Sequence, residues 1–280
     1  MMQHRAFSKS LVSILSSVLV LSRPFQLMKA AAVVLWAQYC AFENDPLRLH
    51  AELAVMGIVI LTAGLYSMND IADVNTDRVS LVKRFRVLAT EKLSIVVGKI
   101  WAGLCVVSGL LFLFTSRELL GVIGILLVLN AWAYSFPPAR LKERPFFDIL
   151  SGAVFSQLGR YSIGHFSISD ASPPMLPLVA AVLFKIGSYL AYRIAGHVYG
   201  EDVTRGSHRF IKMRVALIAL WVSASTVGYF FYEAKVSLIG WIMLLFMILF
   251  CFLIHFLFYR DTGPLTRYVR GAVFGVNRDQ

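Results

Sequence analysis

Eight apolar stretches, roughly 25–42, 50–67, 94–114, 118–135, 147–166, 174–192, 214–232 and 237–258, approach or reach the ~20 residues a helix needs to cross a bilayer. A segment in hydrocarbon must satisfy its own backbone hydrogen bonds, so runs of this length read as helices. Composition agrees. Of 280 residues, 58% are hydrophobic and 15% charged, against about 45–50% and about 25% in a soluble domain. The chain is expected to be an all-α integral membrane protein, a multi-span helical bundle with about eight transmembrane helices.

The net charge of +11 has two readings, a nucleic-acid surface or a set of cytoplasmic loops. Its distribution decides between them. With the N-terminus in the cytoplasm, 20 of the 27 Lys and Arg fall on the inside, only Arg48, Arg117 and Lys235 fall outside, and Lys29, Lys99, Arg160 and Lys185 lie within spans. Cytoplasmic loops carry such an excess of cations. The lipid bilayer is then the partner, no nucleic acid is expected, and a multi-pass protein of the plasma (inner) membrane is the natural reading. Three long polar loops, near 68–92, 136–146 and 193–213, face the cytoplasm. His4, Arg5 and Lys9 precede a short apolar run, Leu11 to Leu21, as in a signal peptide. No small-residue cleavage site follows, and the run leads into Arg23-Pro24. Residues 1–22 therefore read as an interfacial segment, 23–258 as the transmembrane domain and 259–280 as a cytoplasmic tail. Cys40, Cys105 and Cys251 sit in apolar runs without metal-ligand spacing and read as small buried hydrophobes.

Residues 69–77, Asn-Asp-Ile-Ala-Asp-Val-Asn-Thr-Asp, carry the chemistry. On a helix, Asp70, Asp73 and Asp77 share one face at i, i+3 and i+7. Close carboxylates repel, and a hard divalent cation such as Mg2+, which takes oxygen ligands and shares them with phosphates, offsets the repulsion. Arg78, Lys83, Arg84 and Arg86 follow, as a metal-bound polyphosphate would require. The second polar loop reads Tyr134-Ser-Phe-Pro-Pro-Ala-Arg-Leu-Lys142, with paired prolines ending a span and Arg140 and Lys142 just beyond. In the third loop, Arg193, His197, Glu201, Asp202 and Arg205 combine acids with bases, and His197 and Glu201 fall on one helix face. These groups read equally well as an ion-pair network. Of the ionisable groups within spans, Arg160 is the strongest candidate to face a cavity.

The chain resembles the UbiA superfamily of intramembrane prenyltransferases. The likeness runs from Arg23-Pro24 through the aspartate motif and Arg86-Val-Leu to Tyr134-Ser-x-Pro-Pro-x-Arg-Leu-Lys142. It implies a helical bundle around a central cavity holding a prenyl diphosphate on Mg2+. Asp70, Asp73 and Asp77 would be its metal ligands, oriented by Asn69. Arg86, Arg140, Lys142 and Arg193 would hold the diphosphate, and Tyr134, Arg160 and His197 would line the substrate cavity. The usual second aspartate motif is altered, with His197-Val-Tyr-Gly-Glu201 in its place. Glu201, with Asp202 as the alternative, is the expected second-site ligand. A prolyl position of the family is Val87 here, and eight spans stand where nine are usual.

The implied activity is ionisation of a prenyl diphosphate and transfer of the prenyl group to a lipophilic or aromatic acceptor. A membrane terpene cyclase uses the same ionisation. Phosphoribosyl transfer from phosphoribosyl diphosphate to a polyprenyl phosphate uses the same metal site. A lipid-binding or assembly protein on this scaffold is the non-enzyme alternative.

Overall fold

The first corner of the fold follows from one proline. The computed structural model describes residues 11–41, 48–80, 83–198 and 206–233, with Ile242, Leu244, Leu245, 247–249 and Cys251. Pro24 opens helix α2 (Pro24–Cys40), where its missing N–H is not needed. The residue before a proline is kept out of the α region, so helix α1 (Leu11–Leu21) cannot run on through Arg23. Arg23 turns the chain with left-handed backbone angles, φ 53° and ψ 68°. The helices on either side meet at 51°. Trp101 fastens this corner by donating its indole N–H to Ser22 Oγ at 3.0 Å.

Among the described residues, further helices follow: α3 (Arg48–Val79), α4 (Ile95–Ser116), α5 (Glu118–Ser135), the short α6 (Pro145–Ile149), α7 (Ser156–Phe166), α8 (Met175–Val198) and α9 (Gly206–Glu233). A π-helical stretch, Leu150–Phe155, joins α6 to α7. No strand occurs among the described residues. Helices α3, α4 and α5 are each long and apolar enough to cross a membrane, and α8 and α9 hold shorter apolar stretches, Met175–Leu190 and Val215–Phe230. The last expected span, 237–258, lies largely outside the described residues. Leu11–Leu21, expected to be interfacial, is helical.

One boundary differs from expectation. The polar loop predicted to begin at 68 begins only after Val79, because α3 runs 32 residues. At 1.5 Å per residue that is about 48 Å, well beyond the ~30 Å of hydrocarbon. The helix therefore carries the aspartates past the apolar section on a rigid rod.

Helix α4 shows an outer stripe, Val96, Ile100, Leu104, Val107 and Leu111, all more than half exposed. Residues three or four apart lie on one helix face, so this stripe presents a continuous apolar surface, as lipid contact requires. Its opposite face packs against α3. At Gly109 an added Cβ would lie 2.6 Å from the Leu61 backbone nitrogen. Small residues that let helix backbones approach are a hallmark of packing in lipid. Ile58, Leu61, Leu113, Leu120, Leu127 and Ile163 form the core from α3, α4, α5 and α7. Cys105 and Cys251 are buried and all three cysteines are free thiols.

Helix α7 meets α2 through a second close contact, where a Cβ on Gly164 would run into the Val34 carbonyl oxygen and the Ala37 side chain. Gly164→Ala is expected to push α2 and α7 apart. Overpacking of this kind costs about 1–3 kcal/mol, and thermal melting in detergent reads it as a lowered midpoint. An unchanged midpoint would show that the two helices separate without penalty.

Candidate functional site

The three aspartates stand on one face of α3, all of them buried. Their neighbours are cations from separate parts of the chain. Arg23, at the α1–α2 corner, ion-pairs with Asp70 Oδ1 and lies over the Tyr66 ring at 5.2 Å. Arg86 bridges two acids, donating from Nη1 to Asp70 Oδ1 at 3.0 Å and to Asp77 Oδ2 at 2.8 Å. Lys142 donates to Asp73 Oδ1. Arg140 Nη2 stands 3.7 Å from the same oxygen, while its Nε pairs with Glu143 at 2.6 Å. Three carboxylates thus face four cations.

Local structure aims each cation. Val87 and Leu88, the residues after Arg86, are buried with Val18, Leu21 and Val74. This apolar anchor ties the α3–α4 loop beneath α1 and leaves Arg86 directed at α3. Arg140 takes left-handed angles, φ 38° and ψ 54°, at the start of a short 3-10 turn, Leu141–Glu143. Arg23 and Arg140 are both left-handed non-glycine residues, a conformation that costs about 1–3 kcal/mol and tends to gather at functional sites. Burial lowers the Lys142 pKa from its ordinary value, and the Asp73 carboxylate opposes that shift.

The two polar motifs of the sequence meet at Asn69. Its Oδ1 accepts from Ser135 Oγ at 3.1 Å and from Lys142 Nζ at 3.5 Å. Tyr134 turns the other way. Its hydroxyl donates to Asp148 Oδ1 at 3.0 Å and lies 2.8 Å from the Tyr189 hydroxyl, which also donates to Asp148 at 2.5 Å. This cluster links α5, α6 and α8.

Of the expected site residues, Asn69, Asp70, Asp73, Asp77, Arg86, Arg140 and Lys142 come together. Tyr134 lies in the adjoining cluster, and Arg160 sits on α7. Arg193 and His197 fall on the last turns of α8, where side chains are not described. Glu201 and Asp202 lie outside the described residues. Arg23, Asp148 and Tyr189 were missed. Arg23-Pro24 was visible as a motif, but no local pattern joins it to an acid 47 residues away. Asp148 and Tyr189 carry no sequence signal beyond Tyr134, their common partner.

Among the described residues, no three His, Cys, Asp or Glu side chains converge to form a metal cage. Mg2+ does not require one, because it commonly binds through one or two carboxylates and completes its shell with water and phosphate oxygens. The donor set here, carboxylate oxygens with cations alongside, fits that mode.

Residues 30–270 match the sequence model of the UbiA prenyltransferase family. A lycopene elongase/hydratase from Haloarcula japonica is 30% identical over 189 residues, 63% of this chain and 60% of that protein. The match thus spans about 60% of the relative's length. The fold is similar to that of a UbiA homologue from Archaeoglobus fulgidus solved with GPP and Mg2+, with a TM-score of 0.66 and 17% identity, over 92% of this chain and 95% of the other. The same homologue bound to DMAPP and Mg2+ gives a TM-score of 0.65 at 18% identity, covering 92% and 96%.

Proposed function

Because the chain belongs to the UbiA prenyltransferase family, we propose that it is a Mg2+-dependent intramembrane transferase that ionises a prenyl diphosphate and passes the prenyl group to a lipophilic or aromatic acceptor. The observation that carries this reading is the aspartate face of α3 ringed by Arg23, Arg86, Arg140 and Lys142. Support comes also from relatives: the A. fulgidus homologue was solved with GPP or DMAPP and Mg2+, and the H. japonica protein is a lycopene elongase/hydratase.

On this reading Asp70, Asp73 and Asp77 hold Mg2+, with Glu201 or Asp202 adding a carboxylate from the third loop. Bound there, Mg2+ supplies positive charge against the departing diphosphate. The chain's cations do the rest of the electrostatic work. Arg23 and Arg86, now on Asp70 and Asp77, turn charge-assisted donors toward phosphate oxygens, and Lys142 and Arg140 do so beside Asp73. Donors fixed where charge develops lower the barrier more than donors that must reorganise. The carbon–oxygen bond breaks with its electron pair leaving on the diphosphate, and an allylic cation results. The bundle shields that cation from water. The acceptor then forms the new carbon bond and loses a proton. Tyr134, Arg160 and His197 line the acceptor side, and Arg193 adds to the diphosphate contacts. The charge bias of the loops supports a site on the cytoplasmic side, in a protein of the plasma membrane on this reading.

Incubation with Mg2+ and prenyl diphosphates of several chain lengths, with and without acceptor, tests the assignment. Turnover that waits for an acceptor supports the transferase. A cyclised hydrocarbon formed without acceptor would select the terpene cyclase, and turnover of phosphoribosyl diphosphate would select phosphoribosyl transfer. Within the third loop, Glu201→Ala is expected to cost more activity than His197→Ala, because Mg2+ favours carboxylate over imidazole. The reverse order would remove Glu201 from the metal site.

A further inference from the structure

The hydroxyls of Tyr134 and Tyr189 and the carboxylate of Asp148 close a ring of three oxygens. Tyr134 stands 3.0 Å and Tyr189 2.5 Å from the same atom, Asp148 Oδ1, and the two hydroxyls stand 2.8 Å from each other. All three separations are hydrogen-bond distances for oxygen pairs, and each calls for a proton between its oxygens. A phenol brings one proton and an ionised aspartate none. The ring therefore has three contacts and two protons of its own. With both phenols donating to Asp148, the contact between the hydroxyl oxygens holds no proton. One more proton completes the ring.

Local structure holds the ring closed. Asp148 lies on α6, just before the π-helical stretch, an irregularity often found at functional sites. Ser151 and Asn130 pin that stretch to α5. Ser151 Oγ donates to Asn130 Oδ1 at 2.8 Å, and Asn130 Nδ2 donates to the Ser151 carbonyl at 3.1 Å. Gly152 leaves room for both tyrosines, because a Cβ there would come within 3.1 Å of the Tyr189 hydroxyl and 3.2 Å of the Tyr134 ring. Asp148 is buried, whereas both tyrosines keep partial exposure, so a proton reaches the carboxylate through a hydroxyl. The ring also adjoins the aspartate face. Ser135 follows Tyr134 directly and donates to Asn69 Oδ1 at 3.1 Å, and Asn69 precedes Asp70.

We propose that this ring takes the proton that the acceptor loses once the new carbon bond has formed. The proposal rests on the transferase reading above and names its proton acceptor. The acceptor's π electrons bond to the allylic cation and leave a positive charge on the acceptor. A C–H bond of the acceptor then breaks, and its electron pair restores the double bond or aromatic ring. The proton passes to a tyrosine hydroxyl, whose own proton moves to Asp148. All three contacts of the ring are then filled, and the aspartate is neutral.

The test is prenyl transfer by the purified full chain with Mg2+, geranyl diphosphate and either 1-naphthol or squalene. These are an aromatic and a polyene probe, each used in ordinary and perdeuterated form. In Asp148→Asn the amide resembles the protonated carboxyl and brings its own N–H donors to the ring. The variant is therefore expected to melt no lower than the parent and to keep the parent's KM for geranyl diphosphate. Its rate of transfer is expected to fall at least about a hundredfold, the low end of what a positioned general base contributes. Its deuterium isotope effect is expected to exceed the parent's, because C–H cleavage becomes slow. Tyr189→Phe removes one relay and one proton, and is expected to raise the isotope effect with a smaller loss of rate. If the ring serves only to hold α5, α6 and α8 together, Asp148→Asn lowers the midpoint or raises KM and leaves the isotope effect unchanged, which overturns the proposal. Transfer by Asp148→Asn at the parent's rate overturns it equally. Should Asp148→Asn fail to fold, Tyr189→Phe decides, and an isotope effect equal to the parent's overturns the proposal. A parent chain that releases no diphosphate with either probe overturns the transferase reading, and this proposal with it.

Discussion

Replacing Asp73 with alanine lowers Mg2+-dependent diphosphate release by at least about a thousandfold, the upper range for removing a single preorganised electrostatic group. Two losses combine. The carboxylate goes from the centre of the aspartate face, and Lys142, which donates to it, loses the group that positions it. Arg140, 3.7 Å from the same oxygen, loses its acid on that side too. Asp73→Asn keeps the size and a hydrogen bond but removes the charge, so it is expected to fall nearly as far. That comparison separates charge from shape. Asp70→Ala is expected to behave like Asp73→Ala. Diphosphate release from purified protein, measured across a Mg2+ titration, reads the result. Full activity in both alanine variants would end the metal-site assignment.

The second large effect concerns Arg86. Its guanidinium joins Asp70 and Asp77 across one turn and more of α3, and both acids are almost fully buried. Arg86→Ala leaves Asp77 without its described cation and Asp70 with Arg23 alone. Breaking a buried pair by removing one partner costs about 3–5 kcal/mol, and the low end applies because Arg86 keeps some exposure. The ligand-free protein should therefore melt well below the parent. Mg2+ should restore more of the midpoint in Arg86→Ala than it adds to the parent, because uncompensated carboxylates recruit a cation. Geranyl diphosphate binding should still fall by at least about a hundredfold, since two charge-assisted donors are lost at about 1.5–3 kcal/mol each. Arg86→Lys can reach one acid but cannot span both, and should fall between the two. Equal Mg2+ shifts in parent and variant would mean that these acids do not bind the metal.

Much of this site was legible in the sequence because it depends on local order. The i, i+3, i+7 spacing put Asp70, Asp73 and Asp77 on one face, and α3 does continue through them. Where the polar loop would begin was not legible. Hydropathy ends the span near 67, but the helix persists for another three turns because Arg23, Arg86 and Lys142 neutralise what would otherwise be a run of repelling carboxylates. Those cations come from three distant segments, and local pattern cannot see such pairing. Arg86-Val87-Leu88 shows the same limit. The motif was visible, yet its function as an apolar anchor for the arginine depends on packing against Val18 and Leu21 of α1. Tyr134 was legible through its motif, whereas Asp148 and Tyr189 gain meaning only where α5, α6 and α8 converge.

On the proposed function, the aspartate face and its cations form a seat for a prenyl diphosphate head group. Equilibrium binding of geranyl diphosphate, geranyl monophosphate and geraniol to the purified chain, each with Mg2+ and again with a chelator, tests it most directly. Tight binding of the diphosphate is expected only with Mg2+, with weaker binding of the monophosphate and weak, Mg2+-independent binding of geraniol. Geraniol binding as tightly as the diphosphate, or diphosphate binding unchanged by the chelator, would contradict it.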